Sequence, residues 1–311
     1  MKTYQKGFER LFEEIGKVVI GQEDVIKQMM IAILCDSNAL LEGYPGLAKT
    51  LAVRTVARLM DMKFSRIQNT PDLMPSDIIG TYIIEDRGGK RDFRFQPGPI
   101  FANIVLADEI NRATPKTQSA LLEAMQEKQV TVGNETFKLD RPFFVLATQN
   151  PIEQEGTYPL PEAQSDRFLF KITTNYPKYE EELKIVDRYS FNSAPPDLPV
   201  LINKKTLFAL QGLARQVPIA QDLKERVVKV VTATRRQEGL IEYGASPRAS
   251  IGLVLACKAK ALMEGRNYVS GEDIEEMAYP VLRHRIIMNF EAERKGIKAD
   301  DAIKELLAKI K

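Results

Sequence analysis

The feature that most constrains the fold is a glycine-containing loop between a short apolar run and a helical pattern. The apolar run covers residues 39–41, and the helical pattern covers residues 51–60. A strand, a tight turn and a helix start form a cradle whose backbone N–H groups and helix dipole favour an anion. The loop consists of Gly43, Tyr44, Pro45, Gly46, Leu47, Ala48, Lys49 and Thr50, with Leu51 at the start of the helical pattern.

The end of this loop carries the chemistry. Lys49 is placed to contact the β- and γ-phosphates of a nucleotide, and the Thr50 hydroxyl is placed to ligate Mg²⁺. The usual pattern has glycine where this chain has Ala48. We expect a negative φ at Ala48, because this position would open the helix and its methyl group would then not clash. The alternative is an ordinary Gly/Pro turn that carries a solvated lysine.

A second group of polar residues lies at the end of a buried strand. Residues 104–107 (Ile-Val-Leu-Ala) predict a parallel strand covered on both faces, and Asp108 and Glu109 follow. Two carboxylates at that end of a buried strand are costly unless they serve a cation or a proton transfer. We expect Asp108 to hold Mg²⁺ through water and Glu109 to act as general base toward the attacking water. The alternative is a strand that runs out into solvent.

A third strand, over residues 143–147, ends in Thr-Gln-Asn-Pro. The Asn150 amide at this strand end is suited to orient the attacking water against the γ-phosphate. Asn-Pro is also a plain turn signal.

Further segments complete a recurring order of motifs along the chain. Besides GYPGLAKT at 43–50, they are LADEINRA at 106–113, KTQSALLEAMQE at 116–127, ATQNP at 147–151, YPLPEAQ at 158–164, SDRF at 165–168 and SPRA at 246–249. Together these segments resemble the AAA+ ATPases, and within that class the chain is similar to the MoxR family. The resemblance covers most of the chain and implies a Mg²⁺-dependent ATPase whose cofactors are ATP and Mg²⁺.

The composition excludes several other classes of protein. The chain has one histidine, His284, which nearly excludes a histidine-based metal site or a Ser-His triad. Cys35 and Cys257 lie in separate helical apolar patterns and are interpreted as small buried hydrophobes. The net charge of +2 argues neither for nor against nucleic acid. No apolar run has the length of a membrane span, and the polar first ten residues lack a signal-peptide core, so a cytoplasmic protein without membrane insertion is expected.

The pattern along the chain predicts an α/β fold followed by a helical domain. Strands alternate with helices to about residue 175, which indicates a parallel sheet with flanking helices. The resemblance makes residues 1–176 a P-loop AAA+ core. Two inserted β-hairpins are predicted, one over 81–95 with its turn at Gly88-Gly89 and one over 130–139 with its turn at Gly133-Asn134. Helical periodicity then predicts a smaller all-α lid domain over residues 177–311.

The segment at residues 18–22, Val-Val-Ile-Gly-Gln, lies between two predicted helices. In AAA+ proteins the matching segment contacts adenine, so the resemblance makes Gly21 and Gln22 candidates for the base pocket. The alternative is an apolar helix entry.

Three arginines are candidates for contact with the nucleotide. Arg248 follows Ser246 and Pro247 at a helix start, where a cation opposes the helix dipole unless an anion lies nearby. The resemblance makes Arg248 the lid arginine on the γ-phosphate. It makes Arg167 an arginine finger that reaches the nucleotide of a neighbouring subunit, with Arg112 as a second interface candidate. The alternatives are a surface arginine at position 248 and an Asp166–Arg167 surface pair.

The favoured function is ATP hydrolysis that remodels, assembles or activates partner proteins, as implied by the MoxR resemblance. A finger acting across subunits requires a homo-oligomer, and the resemblance implies that it is a hexameric ring. The resemblance also implies a client protein and a partner with a von Willebrand factor A domain. The alternatives are a nucleic-acid motor, which the absence of a DNA-binding module or strong basic bias disfavours, the motor subunit of a metal chelatase, and a nucleotide-controlled scaffold.

Overall fold

A computed structural model of the chain describes residues 2–87, 90–152, 156–190, 196–236 and 239–310. The α-helices are α1 (Lys2–Gly16), α2 (Glu23–Leu34), α3 (Lys49–Leu59), α4 (Pro75–Ile79), α5 (Pro115–Glu127), α6 (Glu162–Ser165), α7 (Tyr179–Tyr189), α8 (Lys204–Gln216), α9 (Gln221–Ala233), α10 (Pro247–Met263), α11 (Gly271–Leu282), α12 (Phe290–Arg294) and α13 (Ala299–Lys309). The strands are β1 (Ala39–Glu42), β2 (Phe64–Gln68), β3 (Gly80–Arg87), β4 (Lys90–Pro97), β5 (Ile104–Asp108), β6 (Gln129–Val132), β7 (Glu135–Lys138), β8 (Phe144–Gln149), β9 (Phe170–Thr173), β10 (Ile241–Tyr243) and β11 (Ile287–Met288).

Five strands form the predicted parallel sheet, in the order β2-β5-β8-β1-β9. The central strands are apolar and almost wholly buried, as strands covered on both faces must be. β1 pairs with β8 on one side and with β9 on the other. The strand order therefore reverses beside β1, and the crevice outside the carboxyl ends at such a point is where open α/β sheets bind ligands.

Alternate residues of β5 enter two separate apolar cores. Ile104 and Leu106 join a core that contains α1, α2, α3 and the helices of the lid. Val105 and Ala107 point to the other face of the sheet, where they pack with α4 and α5. The first core is continuous from the N-terminal helices into the lid, so the boundary placed at residues 176 and 177 separates segments that share one core. That boundary stays a prediction.

Both predicted hairpins are present outside the main sheet. β3 pairs with β4 from Gly80–Pro97 to Arg87–Lys90, and β6 pairs with β7. The predicted turn at 88–89 lies outside the described residues. The hairpins support each other, because the Phe95 ring stacks on Phe137 with centroids 4.0 Å apart.

The C-terminal part is helical, as predicted, from α7 to α13. It differs from an all-α domain in one detail, since β10 and β11 pair antiparallel and connect residues distant in the sequence. The Pro-Pro pair at 195–196 in the sequence predicts a loop over 191–200. Residues 191–195 lie outside the described residues, and residues 196–200 have no regular structure. Within the described ranges, no helix has both the length and the apolar character needed to cross a membrane.

The last core strand begins later than the sequence predicts. The apolar run Phe168-Leu169-Phe170 in the sequence predicts a strand over 168–170, but β9 starts at Phe170. The reason is tertiary, because the carbonyls of Phe168 and Leu169 accept hydrogen bonds from the Arg285 guanidinium of the lid. Those backbone groups are therefore paired with a side chain and not with a neighbouring strand.

The Asp166 carboxylate connects the core to the lid. It accepts a hydrogen bond from Arg285 Nε at 2.8 Å, one from Ser246 Oγ at 3.0 Å and one from Arg248 Nη1 at 3.2 Å. The Arg285 side chain is only 3% exposed, so its charge depends on this carboxylate. Burial raises the pKa of the Asp166 carboxyl, but the hydrogen bonds from Arg285, Ser246 and Arg248 and the charge of Arg285 outweigh burial and lower that pKa overall.

We expect Asp166→Ala to lower the free energy of unfolding by about 2–3 kcal/mol, because it leaves the buried Arg285 charge with carbonyl partners only. Urea denaturation at neutral pH measures this change. The matched control is Asp197→Ala, which also removes an aspartate from an arginine pair, but whose side chain is 98% exposed. The control should have a much smaller effect.

The pH dependence has a defined sign. The folded-state pKa of Asp166 lies below its unfolded value, so its stabilisation is complete above the unfolded pKa and disappears as the pH falls through the folded value. The difference between wild type and Asp166→Ala should therefore shrink on acidification below about pH 4. A difference that stays constant through this range would contradict the assignment.

Candidate active site

The loop after β1 requires glycine at its first position. Gly43 N–H donates to the Gln149 carbonyl across 3.2 Å, which holds the loop start against β8. A Cβ at Gly43 would lie 1.9 Å from the Thr174 methyl group, so no larger residue fits. Gly46 has a φ of 84°, a conformation that glycine adopts without strain. The loop then leads into α3, whose first unpaired N–H groups add to the anion cradle.

The expectation of a negative φ at Ala48 is wrong. Its φ is 54°, in the left-handed region, and α3 begins one residue later, at Lys49. Ala48 therefore ends the loop and does not open the helix. Its Cβ carries the steric cost of that conformation, which glycine at this position would avoid.

The Lys49 side chain folds over the loop. Its ammonium group donates to the Gly43 carbonyl at 2.6 Å. Burial lowers the pKa of Lys49, and the nearby charges of Asp108 and Glu109 partly oppose this shift. The ammonium group thus lies between the loop and the two predicted carboxylates.

A cavity of about 430 Å³ lies over the carboxyl edge of the sheet. It combines the loop with the ends of three neighbouring strands. Its lining residues are Pro45, Gly46, Leu47, Ala48, Lys49, Thr50, Leu51, Arg66, Asp108, Glu109 and Asn150. The structure thereby brings together residues from all three segments that the sequence singled out.

Four predicted nucleotide contacts do not line this cavity. Gly43 and Tyr44 line a neighbouring cavity of about 580 Å³, beside lid residues that include Arg283. Gln22 is buried, and its Oε1 accepts a hydrogen bond from the Thr174 hydroxyl at 3.1 Å. Gly21 packs against α7, where a Cβ would meet the Glu181 carboxylate at 2.8 Å.

A buried threonine holds the two carboxylate residues in place. The Thr148 hydroxyl donates to Asp108 Oδ1 at 2.6 Å and accepts from the Glu109 backbone N–H at 2.9 Å. Glu109 has a φ of 54°, a left-handed conformation that costs energy in a residue with a Cβ and is often found at functional sites. The sequence analysis gave Thr148 no role, although its place directly after a buried strand is a usable signal.

Strand β2 contributes two site residues that the sequence analysis missed. The Arg66 guanidinium donates to Asp108 Oδ2 from Nη2 at 2.6 Å and from Nε at 3.1 Å. Gln68 Nε2 donates to Glu109 Oε2 at 2.9 Å. Arg66 and Gln68 are two residues apart on a strand, so they share one face. Their polar alternation at a strand end was the available signal.

Asn150 is buried at the end of β8. Its Oδ1 accepts the backbone N–H of Ile152 at 3.2 Å, which is the local turn that Asn-Pro also indicates. The residue nevertheless lines the cavity, so both interpretations of this segment apply.

The predicted arginines lie in two places. Arg112 Nη1 contacts Glu109 Oε2 of its own chain at 3.3 Å. Arg248 pairs with Asp166, and Arg167 donates to the side chain of Gln126. Neither Arg167 nor Arg248 lines the cavity of its own chain. Arg167 directly follows Asp166 in the chain, and Arg248 forms an ion pair with Asp166, so the two arginines lie in one surface region.

The lining residues fit Mg²⁺ delivered with a nucleotide. The Thr50 hydroxyl and the Asp108 carboxylate are hard oxygen donors, and both face the same cavity. Asp108 already pairs with a cation, the Arg66 guanidinium. Within the described part of the chain, no group of three or more His, Cys, Asp or Glu residues gathers to hold a metal alone. Mg²⁺ commonly completes its ligand set with substrate phosphates and water.

Comparison with known proteins agrees with this geometry. The ATPase family associated with various cellular activities (AAA) matches residues 38–170, and the AAA lid domain matches residues 233–306. A solved structure of a candidate ATPase from Cytophaga hutchinsonii has a TM-score of 0.92 at 46% identity, and the match covers 99% of this chain and 96% of that one. The fold and the site therefore define an ATPase of the AAA+ class.

Curated relatives narrow the class further. Chaperone MoxR1 of Mycobacterium tuberculosis is 46% identical over an alignment of 307 positions, which covers 96% of this chain and 80% of the relative. Protein MoxR of Methylorubrum extorquens is 32% identical over an alignment of 319 positions, which covers 94% of this chain and 91% of the relative. The chain belongs to the MoxR family.

We expect Ala48→Gly to raise the free energy of unfolding by about 0.5–1 kcal/mol. Relief of a left-handed alanine is worth about 1–2 kcal/mol, and the greater backbone entropy of glycine offsets about half of it. Chemical denaturation measures the change. The control is Ala52→Gly inside α3, which should lower stability by about 1 kcal/mol. Equal losses in both variants would show that Ala48 is unstrained.

Proposed function

We propose that the chain hydrolyses ATP with Mg²⁺ and uses the energy to remodel or activate a partner protein. The observation that carries this proposal is the single cavity shared by Lys49, Thr50, Asp108 and Glu109 at the carboxyl edge of the sheet. A scaffold with negligible turnover would not need a strained acidic residue beside the phosphate loop.

Binding of the triphosphate rests on the loop and on α3. Backbone N–H groups from Gly46 to Thr50 would surround the phosphates, Gly43, Tyr44 and Pro45 shape the start of the loop, and Leu51 continues the first turn of the helix. Lys49 exchanges its contact with the Gly43 carbonyl for the β- and γ-phosphates. Thr50 and Asp108 would hold Mg²⁺, and the ion would supply charge neutralisation to the phosphates. Gly21, Gln22 and Tyr44 surround the nucleoside end of the substrate.

Hydrolysis needs a base and an oriented water. Glu109 accepts the proton of the attacking water, and the Asn150 amide orients that water toward the γ-phosphate. The Thr148 hydroxyl contributes by fixing the Glu109 backbone, so the carboxylate is held in place before substrate arrives.

Arg167 and Arg248 serve the nucleotide of a neighbouring subunit. Neither arginine lines the cavity of its own chain, which supports this, as does their shared position around Asp166. A head-to-tail contact that places this surface against the next cavity closes into a ring, and we propose a homohexamer. Arg112 contacts the base of its own subunit and so acts in the same chain.

The client is proposed to be a protein. The curated relative with 46% identity is named a chaperone, which supports the transfer of that role. The first hairpin offers a contact surface, because Ile84 and Phe93 face each other across its strands with 62% and 71% of their surface exposed. A partner with a von Willebrand factor A domain and a cytoplasmic location remain proposals from the family.

A chelatase motor is the second candidate. One observation favours it, a 24% identity over 319 residues to a protein named magnesium-chelatase subunit ChlI homolog from Methanocaldococcus jannaschii. The higher identities to the MoxR proteins favour protein remodelling.

Lys49→Ala and Glu109→Gln should separate binding from hydrolysis. Lys49→Ala removes a phosphate contact that exists before and during the reaction, so it should weaken ATP binding and abolish turnover. Glu109→Gln keeps the shape of the side chain and should bind ATP normally while hydrolysis slows by about 10²–10⁴-fold. Equilibrium binding and phosphate release measure the two effects. Equal loss of binding in both variants would contradict these roles.

Mixing two inactive variants tests the proposed action across subunits. Arg167→Ala retains an intact phosphate loop, and Lys49→Ala retains an intact arginine. Mixed rings contain some interfaces in which both parts are whole, so partial recovery of ATPase activity is expected. The control is a mixture of Lys49→Ala with Glu109→Gln, both of which impair the same cavity. Absence of recovery in mixtures shown to exchange subunits would mean that Arg167 acts in its own subunit or only packs.

A further inference from the structure

Arg66 is positioned by strand pairing to contact the proposed metal residue. β2 runs parallel to β5 along the edge of the sheet, and Gln68 is the register partner of Asp108. Arg66 lies two residues earlier on the same face and reaches forward along the strand into the cavity lining. Lys49 and Arg66 are the two basic residues among those that line the cavity.

The two oxygens of Asp108 have different partners. Oδ1 accepts from Thr148, which is fully buried and also accepts from the Glu109 N–H. Oδ2 accepts from two nitrogens of Arg66, whose side chain is 47% exposed. The threonine cannot move without breaking both of its bonds, whereas the arginine has room to turn toward solvent. Oδ2 is therefore the oxygen that can change partner.

We propose that Arg66 is a cationic placeholder, which neutralises Asp108 in the nucleotide-free chain and leaves Oδ2 when Mg²⁺ enters with ATP. This inference rests on the proposed role of Asp108 toward Mg²⁺. A guanidinium and a divalent cation repel each other at one carboxylate, so the two compete. Without Arg66, Asp108 and Glu109 would face the cavity with less compensating charge.

Competition makes a specific prediction about binding. Mg²⁺ must displace Arg66, so part of its affinity for the site is used to break that ion pair. Removing the guanidinium should therefore increase the factor by which Mg²⁺ strengthens nucleotide binding. A residue that cooperates with the metal on the phosphates would have the opposite effect. A residue that only stabilises the fold would leave the factor unchanged.

The experiment measures the dissociation constant of a fluorescent, slowly hydrolysed ATP analogue in excess EDTA and in saturating Mg²⁺. The ratio of the two constants is compared among variants, because the affinity of Mg²⁺ for free nucleotide is common to all of them. Arg66→Met should raise the ratio about fivefold, the size expected for a half-exposed ion pair. Arg66→Lys keeps a positive charge but loses the two-nitrogen contact with Asp108 Oδ2, so its ratio should fall between those of wild type and Arg66→Met.

Two controls test specificity. Arg58→Met removes an arginine of similar exposure, 53%, which pairs with Asp197 away from the cavity, and should leave the ratio unchanged. In an Asp108→Asn background, adding Arg66→Met should no longer raise the ratio, because the contested carboxylate is gone. Melting curves without nucleotide confirm that each variant is folded, and Arg66→Gln replaces Arg66→Met if the latter is not.

An unchanged or lowered ratio in Arg66→Met, with clear Mg²⁺ stimulation in wild type, would overturn the placeholder role and leave the proposed ATPase mechanism intact. A wild-type chain that binds nucleotide equally well with and without Mg²⁺ would overturn both. A raised ratio that persists in the Asp108→Asn background would also overturn the proposal, because Arg66 would then act through another group.

Discussion

The pairing of β1 between β8 and β9 determines where every group of the site lies. It places the phosphate loop at the point where the strand order reverses, next to the carboxyl ends of β5 and β8. Parallel strands end at one edge, so Lys49, Asp108 and Asn150 meet there although long stretches of sequence separate them. The two apolar cores hold this edge rigid from both faces of the sheet.

Rigidity matters because the site contains unfavourable features. Ala48 and Glu109 both have left-handed backbones, and two carboxylates stand side by side at the edge of an apolar core. Hydrogen bonds from Thr148, Arg66 and Gln68 compensate the acidic pair. Their combined effect is to hold the two carboxylates at fixed positions before any nucleotide binds, which is the condition for efficient electrostatic catalysis.

Asp166 links stability to the proposed action between subunits. It pairs with the buried Arg285, anchors Ser246 at the start of α10 and holds Arg248, while Arg167 follows it in the chain. The core–lid junction and the surface that carries Arg167 and Arg248 therefore both depend on the Asp166 carboxylate. Arg167 belongs to the core and Arg248 to the lid, so a movement of the lid relative to the core would change the position of Arg248 relative to Arg167.

By itself, the sequence determined the elements that depend on local patterns. The apolar runs predicted the central strands, the glycine-containing turn predicted the loop before α3, and helical periodicity predicted the lid, because each of these signals lies within a few neighbouring residues. The resemblance to the MoxR family, read from motif order, was confirmed by the relatives. Only the tertiary structure decided the contacts between distant segments. Arg66 contacts Asp108 across 42 positions of sequence, Arg285 pairs with the carbonyls that would have extended β9, and β10 pairs with β11. Such contacts depend on how strands and helices pack, and no local pattern in the chain encodes them.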